Sequence, residues 1–169
     1  MTRGWDKGLD YQVAYNRIVR HMRISKQPAL CYDAILLTQL RNGSRISEAV
    51  RAFKEFLRSG AVEIQVKLSK RRDGATRLMI IPVEVDRQVR EACRELLGLD
   101  EKTLKERVRV YAYHTYNWNT HSLRYAFITH LLRLGVESAI ISKITGHKNL
   151  NYIITYTQRK TAEDILRSL

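Results

Sequence analysis

Long apolar runs are missing from this sequence, and no window approaches the roughly 18 uninterrupted apolar residues of a membrane-spanning helix. The opening MTRGWDKGLDYQ lacks the apolar core of a secretory signal, so a soluble, intracellular, cytoplasmic protein is expected. Cysteine is scarce. Cys31 and Cys93 both lie in apolar, helix-like stretches, which reads as two buried reduced thiols rather than a disulfide or a metal pair. No group of Asp and Glu is spaced to hold Mg²⁺, and the five histidines form no His-x-x-x-His pair. A metal-dependent nuclease is therefore disfavoured, and no metal or other cofactor is expected. Pro-rich linkers, low-complexity tracts and internal repeats are absent too, so the 169 residues read as one domain. Acidic residues are few: 17 Asp and Glu face 30 Lys and Arg, a net charge of +13. That imbalance favours a polyanionic partner, nucleic acid before acidic membrane.

What is present is mostly helical periodicity. Helices are expected over Leu9 to Met22 and Ala29 to Leu40, with Asn42 and Gly43 as a stop. A further turn starts at Ser44 or Arg45, and its continuation through Phe53 and Phe56 fits a helix or an edge strand. Val62, Ile64, Val66 and Leu68 alternate with polar residues, the period of a half-buried strand, and Leu78 to Ile81 is its natural partner across the basic tip RRDGAT. Helices should follow from Asp86 to Leu97 and from Asp100 to Val108, then an irregular aromatic stretch over Tyr111 to Asn119. Thr120 introduces an amphipathic helix with the stripe Leu123, Phe127, Leu131 and Leu134. Another spans Glu137 to Thr145, and the tail from Thr161 to Leu169 forms a short last one. The expected class is mainly α with a small antiparallel β-sheet, an α+β fold.

The chemistry concentrates in three places. His121 and Arg124 stand three apart at a helix start and project to one face. His147, after Gly146, lies twenty-three residues beyond Arg124, and Tyr156 nine beyond His147. The run THSLRYAFITHLLRLGVESAIISKITGHKNLNYIITYTQ resembles the corresponding region of Xer-type recombinases and phage integrases, the tyrosine recombinases. Upstream, LLTQLRNGSRISEAV supplies Arg45 and Glu48 in the family's arrangement, and VEIQVKLSKRRDGATRLMIIP looks like its lysine-bearing hairpin, with Lys70 as the lysine and Lys67 as the competing choice. The resemblance covers roughly Ala29 to Gln158.

This resemblance implies a site-specific DNA recombinase that cuts and rejoins strands through a 3′-phosphotyrosyl bond on Tyr156, with Tyr152 the nearest rival. Arg45 and Arg124 would clamp the phosphate, Glu48 would support Arg45, His121 would be the base, His147 a donor to the phosphate and Lys70 the general acid. Arg71, Arg72, Arg77 and Lys148 are candidate DNA contacts. The implied partners are double-stranded DNA and other protomers, four in the synapse, with a free protein that is monomeric; the tail at 159–169 is a candidate protomer contact. A type IB topoisomerase-like nicking and closing enzyme, or a non-catalytic DNA-binding relative, stays open as an alternative. The family's usual N-terminal DNA-gripping domain has no counterpart in residues 1–28. Tyr125, Thr145 and Gln158 depart from common family residues without removing a catalytic group.

Overall fold

The segment ALCYDAILLTQLRN is apolar on nearly every side, and a helix of that kind has to be wrapped by others. In the computed structural model, which describes residues 8–169 and the backbone alone of Tyr156 within its helix, this segment is the central helix α2 (Ala29–Asn42). Residues Cys31 to Leu40 are all buried. Around it pack α1 (Tyr11–Met22), α3 (Ile46–Ser59), α5 (Glu101–Tyr116) and α6 (Thr120–Arg133). Between α3 and α5 lie β1 (Glu63–Lys67), β2 (Thr76–Ile80), the short α4 (Arg87–Ala92) and a 3₁₀ turn over Arg94–Gly98. The chain closes with α7 (Ser138–Thr145) and α8 (Asn151–Ser168), the latter packed on α6. The expected class, mainly α with one small antiparallel sheet, is the one found. The residues preceding Gly8, on which most of the signal-peptide reading fell, lie outside those described.

The hairpin pairs Ile64 with Met79 and Val66 with Arg77 on its inner face. That face rests on α3 and α2, while Glu63, Gln65 and Lys67 look outward. The segment containing Phe53 and Phe56 is helical: Ala49, Val50, Phe53, Phe56 and Leu57 form a buried stripe, and Gly60 ends α3 in the left-handed conformation.

Five expectations require correction. The stretch from Tyr111 is not irregular, because α5 continues to Tyr116. Leu104, Val108, Ala112 and Tyr116 keep a four-residue inward spacing, and the hydroxyls of Tyr111 and Tyr116 donate to the buried Asp33 at 3.0 and 2.7 Å. The helix from Asp86 stops at Ala92 rather than Leu97. The backbone leaves the helical region at Cys93, with φ −103° and ψ 5°, and tightens into the 3₁₀ turn; Cys93 is also bonded to Cys31 in a disulfide, with Cα atoms 5.7 Å apart, so the two cysteines are not free thiols. The tail helix is not separate either, since α8 runs unbroken from Asn151 through Ser168. The fifth concerns Arg77 and is taken up with the site.

One close approach fixes how α6 meets the end of α2. Gly43 has φ 57°, and a β-carbon there would lie 2.1 Å from Cδ1 of Phe127. Only glycine gives both the left-handed turn and the room for the ring.

Candidate active site

The site grows from the turn between α2 and α3. Arg45 is the N-cap of α3, and Glu48, in the first turn, reaches back to accept from the Arg45 backbone N–H at 3.3 Å. The same carboxylate accepts from the Arg45 guanidinium at 3.3 Å and from the Ser69 N–H at 3.2 Å. Arg77 and Arg124 each approach it, at 3.8 and 3.9 Å. Glu48 is fully buried, so three arginines surround one desolvated negative charge. A buried charge is tolerable only with such partners. The excess of positive charge left over suits a phosphodiester.

Arg124 comes from the second turn of α6 and is 2% exposed. It donates to the Gly43 carbonyl at 3.1 Å and to His147 Nδ1 at 3.0 Å. Burial and the neighbouring Arg45 pull its pKa down to about 9, which leaves it cationic at neutral pH. His147 follows the left-handed Gly146 at the end of α7, where a β-carbon would lie 2.6 Å from Leu68 Cδ2. Glycine thus lets α7 seat against the hairpin and brings His147 to Arg124. Desolvation first, then Arg124, Arg45 and Arg77, lower the His147 pKa to about 3. An arginine offers only donors, so the contact needs a neutral ring. Thr145, one of the departures from the family pattern, anchors this corner: its hydroxyl donates to the Ile141 carbonyl at 2.9 Å and lies 3.1 Å from His147 Nδ1.

His121 lies at the surface one turn before Arg124. Its pKa is lowered by burial of part of the ring and then by the charges of Lys70 and Arg124. Lys70, exposed in the turn after β1, is therefore an electrostatic neighbour of His121. The residue before it, Ser69, is tied to α3 twice, through Glu48 and through its hydroxyl 2.7 Å from that of Ser47. Lys67 sits elsewhere, on the outward face of β1, where its carbonyl accepts from Arg51. Tyr156 belongs to α8, one helical turn after the buried Ile153; its side chain lies outside the described residues.

The hairpin tip divides. Arg72 is exposed, Arg71 pairs with Asp73 at 2.6 Å, and Lys148, next to His147, is exposed. Arg77 is not among them: it is buried, donates to the Asn42 carbonyl and faces Glu48. It cannot project into a DNA groove. The alternation that buries Met79 and Ile81 includes Arg77, and that period was the signal available in the sequence. Asn42, read from the sequence only as part of a helix stop, has a second role. Its side-chain amide holds both the N–H and the carbonyl of Ile80 at 2.8 Å, extending the sheet by one rung.

The sequence pattern of the phage integrase family matches residues 11–163. The chain is 44% identical over 169 residues to the candidate integrase of Acidianus two-tailed virus, a match covering 98% of this chain and 68% of that one. An uncharacterized protein of Methanocaldococcus jannaschii is 34% identical over 197 residues, covering 98% and 88%. The tyrosine recombinase XerD of Shewanella oneidensis is 31% identical over 151 residues, covering 77% of this chain and 50% of its own. No solved structure matches.

Proposed function

Because the chain belongs to the phage integrase family, we propose that it is the catalytic domain of a site-specific DNA recombinase that opens one strand through Tyr156. The Tyr156 hydroxyl attacks the phosphorus, the bond from phosphorus to the 5′ oxygen breaks, and a 3′-phosphotyrosyl link and a free 5′-hydroxyl result. Reversal with a different 5′-hydroxyl rejoins the strands. The phosphotyrosyl link conserves the bond energy, so the step calls for no nucleotide.

The observation that carries this reading is the buried Glu48 with Arg45 and Arg124 ordered about it and His147 against Arg124. Two guanidiniums can hold the non-bridging oxygens as charge builds on them. A phenol with an ordinary pKa of about 10 needs a base to become a nucleophile, and His121, whose pKa is lowered, is available in its neutral form for that. The cationic Lys70 beside it delivers the proton to the departing 5′ oxygen. His147 donates to the phosphate. Arg71, Arg72 and Lys148 contact the flanking backbone of double-stranded DNA, and strand exchange assembles four protomers on two duplexes in the compartment that holds that DNA. Among the described residues no helix is long and apolar enough to cross a membrane.

The test is denaturing gel electrophoresis after incubation, without added metal, with nicked suicide duplexes drawn from a random-sequence pool. Wild type and Tyr152→Phe should form a covalent adduct and Tyr156→Phe none. An adduct that persists in Tyr156→Phe removes the nucleophile assignment. Relaxed supercoils without recombinants would instead indicate a nicking and closing enzyme, and binding without any adduct a non-catalytic relative.

A further inference from the structure

The hairpin that carries Lys70 is clipped to the α2–α3 turn at both ends. At the β2 end, the Asn42 amide pairs with both backbone groups of Ile80. At the β1 end, Glu48 accepts from the Ser69 N–H and Ser47 meets the Ser69 hydroxyl. Arg77 stands between the clips. Opposite Val66 in the sheet register, it points inward, donates to the Asn42 carbonyl and sets its guanidinium 3.8 Å from Glu48. Its Nε and Nη1 have no hydrogen-bond acceptor among the described residues, and Glu48, 3.8 Å from Nη1, balances its buried charge as an ion pair rather than a hydrogen bond.

From this geometry we infer that Arg77 is a positioning residue for strand cleavage, which holds Glu48 and the Ser69–Lys70 turn in place and so fixes Lys70 relative to Arg45. The inference rests on the proposed function for its link to catalysis. An arginine at the surface of a hairpin would tolerate replacement by any polar residue. An arginine in the inner row of a two-stranded sheet, where Val66 and Met79 are its neighbours, costs desolvation that a leucine would avoid. What it gives in return is a bridge: one end of the guanidinium hydrogen-bonded to the Asn42 carbonyl before the turn that presents Arg45, the other facing in an ion pair the carboxylate that holds the backbone before Lys70. Losing that bridge leaves Arg45 and Arg124 on Glu48 and Ser69 tethered to Glu48 and Ser47, but removes the cation that ties the inner face of the hairpin to this carboxylate, so the turn is held less firmly and the group that shifts is the one proposed to protonate the leaving oxygen.

Two measurements on Arg77→Met and Arg77→Lys test this. The first is amide hydrogen exchange, which does not depend on activity. In Arg77→Met, residues 68–71 should exchange at least tenfold faster while the centre of α2 keeps its protection, and Arg77→Lys should fall between. The second compares cleavage of ordinary DNA with DNA whose scissile 5′ oxygen is replaced by sulfur, a leaving group that needs no proton. Arg77→Met should be slowed tenfold or more on ordinary DNA and largely recover on the sulfur substrate, as Lys70→Ala should. Unchanged exchange at 68–71 overturns the inference, and so does an equal loss on both substrates while Lys70→Ala recovers. If Lys70→Ala itself fails to recover, the general-acid assignment falls and the exchange result alone decides the positioning role.

Discussion

Arg124 donates to Nδ1 of His147 across 3.0 Å, so the clamp arginine and the histidine meet as donor and uncharged acceptor. Burial and three nearby arginines hold the His147 pKa down to about 3, and burial with Lys70 and Arg124 lowers that of His121. An NMR titration from about pH 5 to pH 8 should therefore show no protonation of His147, although an unperturbed histidine titrates in that window. Cleavage should decline on the acid side as His121 gains its proton, at a pH below its ordinary value, and His121→Asn should abolish that inflection along with most of the rate. The sign for stability follows from linkage. The folded His147 pKa lies below the unfolded one, so the unfolded chain binds more protons, and stability is full above about pH 6.5 and falls as pH drops toward 3. A His147 resonance that titrates near 6.5 would contradict this.

Glu48 is the only carboxylate within salt-bridge reach of Arg77 and Arg124 among the described residues. Glu48→Ala should destabilise the fold by about 3–5 kcal/mol, the range for breaking a buried ion pair and stranding its partners. Glu48→Gln keeps the shape and the ability to accept from Ser69, and should lose less, about 1–3 kcal/mol. Urea unfolding midpoints decide between them; equal losses would mean that charge rather than shape is what the site requires.

At Gly43 two penalties coincide, the left-handed φ of 57° and the Phe127 ring 2.1 Å from where a β-carbon would stand. Gly43→Ala should cost about 2–4 kcal/mol, part backbone strain and part overpacking. Adding Phe127→Ala removes the second penalty only. A double-mutant cycle should therefore show the pair less unstable than the sum of the singles, and strict additivity would refute the clash.

The parts of this molecule legible from sequence were those with a local rule. Helix periodicity located α1, α2, α6 and α7 to within about two residues at each end, strict alternation located the hairpin, and the resemblance to the tyrosine recombinases singled out His121, Arg124, His147 and Tyr156 as candidates for one site. The rest depended on partners distant along the chain. Tyr111 and Tyr116 look like loop residues until Asp33, 78 and 83 positions away, takes their hydroxyls. Arg77 looks like surface charge until Glu48 and Asn42 are folded under it. Both are cases in which a polar group takes a buried place in a periodic row because of a distant tertiary contact, and the periodicity alone does not say that such a partner exists.

The disulfide belongs to the same class, since Cys31 and Cys93 are separated by 62 residues and nothing local announces their pairing. It joins the central helix α2 to the end of α4, and both sulfurs are buried within the main core. A cross-link over that separation restricts the unfolded chain by about 4 kcal/mol in the loop-entropy picture. Urea unfolding with and without reductant should differ by up to that amount, and the Cys31→Ala, Cys93→Ala double variant should match the reduced protein and ignore reductant. Burial predicts a further distinction. Reductant should act slowly on the folded protein and quickly once urea exposes the bond, because exchange requires a thiolate to reach sulfur. Alkylation of the denatured, unreduced chain should label neither cysteine. Two labelled thiols under those conditions, or an unfolding midpoint indifferent to reductant, would return the pair to the reduced state that the sequence alone suggested.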